Sequence, residues 1–143
     1  MSNIKTRLTR FTLHFHTKIM LQKGIISILM LVVSNTFMTL AWYGHLRLSQ
    51  VPKYSNMPLY AVILMSWLIA LFEYCCQVPA NRIGFADNGG PFSLIQLKVI
   101  QEALSLIVFT IVSGMLFGSL NLQWNHFLAF ILLIAAVGLV FWK

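Results

Sequence analysis

Acidic side chains are almost missing from this chain: Glu73, Asp87 and Glu102 are three in 143 residues, against ten Lys and Arg. Charge of both signs amounts to 9% of the residues, where soluble domains carry about a quarter. That excludes a domain whose whole surface faces water. Cysteine is as scarce. Cys75 and Cys76 are neighbours, and vicinal thiols on a helix point apart, so they form neither a disulfide framework nor a metal site. They read as small apolar groups. No nucleophile elbow, phosphate-cradling glycine loop or H-E-x-x-H occurs, and nothing pairs a nucleophile with a base. No enzyme and no cofactor are expected. His45 and His126 fall at span edges without a third ligand, and His14 and His16 lie in the basic tail, so no metal site is expected either.

What the chain does have is apolar length. Hydrophobic residues make up 59% of it, too much for a protein of this size to hide from water. The solvent is lipid, and the class is integral membrane. Four apolar runs stand at 24–43, 58–78, 92–118 and 124–142. A hydrocarbon core of about 30 Å takes about 20 helical residues, and lipid tolerates no unpaired backbone, so the runs predict four transmembrane helices. Short alternating segments of a barrel are absent. Trp42, Tyr43, Tyr54, Tyr60, Trp124 and Trp142 mark the boundaries as an aromatic belt. Pro58 fits the first turn of helix two, Pro79 is expected to stop it, and Gly89, Gly90 and Pro91 break the chain before helix three. Short connections predict an antiparallel bundle. Residues 1–23 form a basic, acid-free arm, mobile or interfacial; residues 24–143 form the membrane domain. Met20 offers a second translation start, and no clear cleavage site marks a secretory signal.

Basic residues set the orientation. Lys5, Arg7, Arg10, Lys18, Lys23, Arg82, Lys98 and Lys143 share one side, against Arg47 and Lys53. Eight against two predicts both termini in the cytoplasm. A start at Met20 leaves four against two, a bias weak enough for dual insertion. The net charge of +7 is thus spent on headgroups, and no motif points to nucleic acid.

The polar residues fall in stripes. Ser66, Glu73 and Gln77, with Ala70 between, share a face of helix two; Lys98, Gln101, Glu102 and Ser105 share one of helix three; Asn35 and Thr39 share one of helix one, beside Ser34. In lipid such stripes turn to a neighbour or a water-filled cavity. Glu73 lies about 7.5 Å inside one helix end and Glu102 about 6 Å inside the next. Both are expected to face one cytoplasmic-side pocket. Two readings follow. Carboxylates that exchange a proton would serve a proton-coupled carrier. Alternatively Lys98–Glu102 and Arg82–Glu73 are structural ion pairs that fix the hairpin, in a non-transporting structural or accessory protein. Trp67, at mid-span, reads as the wall of an aromatic pocket or as core packing; Asn35 as an interhelical donor or a ligand contact; Gly114 and Gly118 as a small-residue helix contact, with Ala135 and Gly138 as another.

The stretches SNTFMTLAWYGHLR (34–47), SWLIALFEYCCQVPANRIG (66–84), FSLIQLKVIQE (92–102) and LNLQWN (120–125) resemble a bacterial family of small four-span proteins of unknown function, placed in the drug/metabolite transporter superfamily. The likeness runs from Gly24 to Trp142. It implies a fold akin to the small multidrug-resistance proteins, a homodimer in the bacterial inner membrane, and a small-molecule substrate. Those proteins couple export to protons through a glutamate in their first helix. Here that helix offers only Ser34 and Asn35, so coupling would pass to Glu73 or Glu102.

Overall fold

A computed structural model describes residues 2–118 and 123–142. Met1, Lys143 and residues 119–122 lie outside it, as do the side chains of Lys5 and Arg10 used in the charge count. The described chain is four helices: α1 (Ser2–Ser49), α2 (Leu59–Gly84), α3 (Leu94–Phe117) and α4 (Trp124–Phe141), with a 3₁₀ turn at Ala86–Asn88 between α2 and α3. All four are long and apolar enough to cross a membrane. No strand occurs among the described residues, so the expected all-helical class holds.

Side-chain register gives the directions. Ser27 of α1 faces Ala80 of α2, Ser34 faces Gln77, and Phe37 stacks on Phe72 with centroids 5.9 Å apart, so α1 and α2 run antiparallel. Near one end of α3, Phe92 flanks Gly24; towards the other, Phe109 meets Tyr43 edge-on at 4.9 Å, so α3 runs parallel to α1. Phe141 of α4 returns to Phe92, which makes α3 and α4 antiparallel. α1 packs against both α2 and α3, and α4 leans on α3. The central position of α1 explains its composition. Gly24, Ser27, Leu31, Ser34, Asn35, Thr39 and Ala41 are buried, mostly small or polar. Without a hydrophobic drive between helices in lipid, close backbone approach and hydrogen bonds hold the contact. The large apolar side chains point out to the lipid instead, and no residue of α4 is buried.

Three sequence expectations need correction. The first helix is not confined to 24–43: it is continuous from Ser2 to Ser49, so the basic arm is helical up to the span. Nothing in 1–23 breaks a helix, since the stretch holds no proline and no glycine. Pro79 does not stop α2 but sits inside it. A proline removes the bond to the carbonyl four residues back. The helix continues because its last turn is gripped by α1: Ala80 is fully buried, Ser27 Oγ donates to its carbonyl at 2.8 Å, and Gly84 sits against Ser27. The actual stop comes at Phe85, with extended backbone. Finally, Gly118 seats no helix contact within this chain. Gly118 has φ 77°, donates its N–H to Gly114 O and ends α3, with open space around its Cα.

The α2–α3 connection is tightly built. Gly90 N donates to Phe85 O at 2.9 Å, Phe92 N to Gly84 O at 2.9 Å, and Ala86 N to Phe92 O at 2.8 Å. Lys23 Nζ donates to Gly89 O at 2.8 Å, tying the turn to α1. Ser93 then opens α3 with a reciprocal capping box to Gln96.

Candidate functional site

The inner face of α2 reads Glu73, Gln77, Ala80, Gly84, all buried at spacings of four, three and four. Opposite it, α1 offers Ser34. Its hydroxyl is 2.8 Å from Gln77 Oε1 and 3.3 Å from Glu73 Oε1. The amide of Gln77 donates onward to Gln101 Oε1 on α3, with Asn81 Oδ1 a weaker second acceptor at 3.5 Å. Glu73, Ser34, Gln77 and Gln101 therefore form one chain of hydrogen bonds through three helices. Such a chain is costly to leave half-made where no water can substitute.

Glu102 is placed differently. It is exposed, pairs with Lys98 one turn back on the same helix, and lines a groove with Thr39, Trp42, Tyr43, Ser105 and Phe109. The two carboxylates thus have separate surroundings instead of one pocket. The reason is angular. The buried positions on α3 are Leu97, Val108 and Ser113, with Gln101 between the first two, and a step of one residue turns Lys98 and Glu102 about 100° away to the rim. Arg82 makes no ion pair with Glu73; it lines a shallow groove with Asn81, Lys98 and Gln101. Of the two expected ion pairs, only Lys98–Glu102 exists, and it is an exposed i,i+4 pair. Lys98→Ala should shift the thermal midpoint in detergent only slightly, by less than about 0.5 kcal/mol of stability; a loss several times larger would restore a structural role to that pair.

Asn35 is buried. Its Nδ2 donates to Leu31 O at 2.8 Å, and its Oδ1 has no partner among the described residues. Thr39 Oγ1 donates to Asn35 O. Trp67 is neither core nor pocket wall: it is 63% exposed on the outward face of α2, where lipid would cover it. Cys75 is exposed and Cys76 half-buried, both free. Among the described residues no cluster of His, Cys, Asp or Glu is arranged to hold a metal. What sequence reasoning undervalued is Ser34. It stood out only as a neighbour of Asn35, yet its single hydroxyl joins α1 to the two buried polar side chains of α2, Glu73 and Gln77.

A second feature lies toward the opposite end of α1. A cavity of about 340 Å³ opens between Leu40–Ser49 of α1, the connection to α2, and Val62, Met65, Ser66 and Ile69 of α2. Ile69 is one helical turn from Glu73, about 6 Å along the axis.

Four membrane-length helices joined by a polar seam define a small multi-pass membrane protein. Over residues 27–141 the chain matches the family described as "Putative member of DMT superfamily (DUF486)", and it belongs to that family. Members of the superfamily are transporters. No curated protein and no solved structure matches the chain.

Proposed function

We propose that the protein is a proton-coupled transporter of small molecules in the bacterial inner membrane, with both termini in the cytoplasm, working as a homodimer. The observation that carries this reading is the single proton of Ser34 facing two acceptors. A hydroxyl donates one hydrogen bond at a time. When Glu73 holds a proton, its carboxyl O–H donates to Ser34 Oγ, and Ser34 donates to Gln77 Oε1. When Glu73 is ionised, the hydroxyl turns to the carboxylate, and the Gln77 carbonyl loses its donor. Gln77 is also the residue that reaches Gln101. Gain or loss of one proton at Glu73 thereby rebalances the contact among α1, α2 and α3, which is the kind of two-state element a carrier needs.

A cavity ending one turn from that carboxylate supports the reading, and so does the absence of any basic partner for Glu73 among the described residues. The outer surface supports a dimer: no residue of α4 is buried, and four helices leave little room for a path through one copy. In proteoliposomes with an imposed pH gradient, the protein should drive uptake of some member of a labelled panel of amines, organic acids and neutral metabolites. Uptake equal to that of empty liposomes across the panel would sink the transport reading.

A further inference from the structure

The cavity between the C-terminal end of α1 and the N-terminal half of α2 is lined by apolar side chains and one cation. Leu40, Leu48, Met57, Val62, Met65, Ile69 and Leu116 make its walls apolar. Arg47 is the one charged residue that lines it. The chain has three acidic residues, and none of them lines it. Tyr54 also lines it, and Lys53 Nζ stands 5.5 Å from the centre of the Tyr54 ring. Arg47 thus lines the cavity and Lys53 stands beside one of its lining residues, with no carboxylate in the lining to neutralise them. Arg47 uses Nη1 on Gln50 Oε1 at 2.6 Å, a neutral acceptor that leaves its charge uncompensated and most of its five donors available.

We infer that this cavity is a binding site for a small apolar carboxylate, with the apolar body between α1 and α2 and the anionic head at Arg47. The volume falls in the range of small-molecule sites, which combine apolar walls with a few placed polar groups. Hydroxyls of Ser66 and Tyr54 and the ring of His45, whose Nδ1 is buried with no partner among the described residues, supply those groups, whereas Ser49 and Ser55 donate to the carbonyls of Leu46 and Pro52. An organic cation of the same shape meets only positive charge among the lining residues, which separates this site from one built around a glutamate. Binding here does not depend on the transport reading: it stands even if nothing is carried across the membrane.

Phenylbutyrate, phenylbutanol and phenylbutylamine share a shape and differ in charge. Their binding is measured by equilibrium dialysis against the protein in phosphatidylcholine nanodiscs, with empty nanodiscs subtracted. Phenylbutyrate should bind at least about tenfold more tightly than the amine, the scale of one charge-assisted hydrogen bond. Arg47→Gln should weaken phenylbutyrate about tenfold and leave phenylbutanol unchanged; Arg47→Lys should retain most of the affinity. Ser66→Phe, which fills the cavity, should remove binding of all three, and a normal elution profile for each variant shows that it folds. Equal affinity for acid and amine, or full binding in Arg47→Gln, overturns the inference. So does loss of phenylbutyrate binding on adding phosphatidylglycerol at equal protein occupancy, because an anionic lipid would then be the occupant.

Discussion

Gly90→Ala should cost about 3 kcal/mol and lower the thermal midpoint in detergent by about 10 °C. A methyl group at this position would come within 2.3 Å of the Gly84 carbonyl carbon and 2.4 Å of the oxygens of Gly84 and Ile83. These are backbone atoms, unable to swing aside as a flexible side-chain tip would. They are also held in place. Gly84 O accepts from Phe92 N, Gly90 N donates to Phe85 O, and Lys23 reaches in from α1 to Gly89 O. To admit the methyl, the turn must open and give up some of those bonds. The damage would reach the seam, since Gly84 ends the helix that carries Glu73 and Gln77 and packs on Ser27 and Leu97. Gly138→Ala is the matched control. Nothing lies within 4 Å of a methyl there, and alanine is the better helix former by about 0.5–1 kcal/mol. It should leave the midpoint unchanged or raise it. Equal behaviour of the two variants would mean that the α2–α3 turn is not packed as described.

Under the proposed mechanism, Glu73→Gln should abolish proton coupling while leaving the fold intact. Glutamine keeps the shape and, like the protonated carboxyl, donates to Ser34 Oγ while Ser34 donates to Gln77. The variant is therefore locked in the bonding pattern of the protonated state. A pH jump applied to protein reconstituted on a solid-supported membrane should give a transient current in the native chain, from protons entering the dielectric to reach Glu73. In Glu73→Gln the transient should fall at least about tenfold, to the level of protein-free membranes. Any pH-driven uptake should disappear with it. Ser34→Ala separates the parts: the carboxyl remains, but its state no longer reaches Gln77, so the transient should persist while uptake fails. An undiminished transient in Glu73→Gln would remove Glu73 from the mechanism.

The behaviour of Lys98 and Glu102 shows how far a helical pattern carries and where it stops. Period alone places 98, 101, 102 and 105 within one broad face, and it is silent on which edge of that face meets a neighbour. The structure seats Leu97 and Val108 inside, and the ion pair moves to the rim. Pro79 teaches a similar lesson. A proline weakens one turn of helix by a local rule, but Ala80 and Gly84, buried against α1, hold the next turn in place.

Composition and run length by themselves determined the class and the number of spans, because lipid permits few solutions: apolar helices of about 20 residues with every backbone group paired inside. The inner face of α2 was also readable, since Ser66, Ala70, Glu73 and Gln77 are the small and polar interruptions of an otherwise lipid-soluble surface. Tertiary structure decided what those residues meet. That Ser34 stands between Glu73 and Gln77, that Gln77 reaches Gln101, and that Arg47 lines an apolar cavity all depend on the rotation and register of one helix against another. A hydroxyl's partner is set by distances of about 3 Å, whereas sequence spacing places a residue only to within a face of a helix.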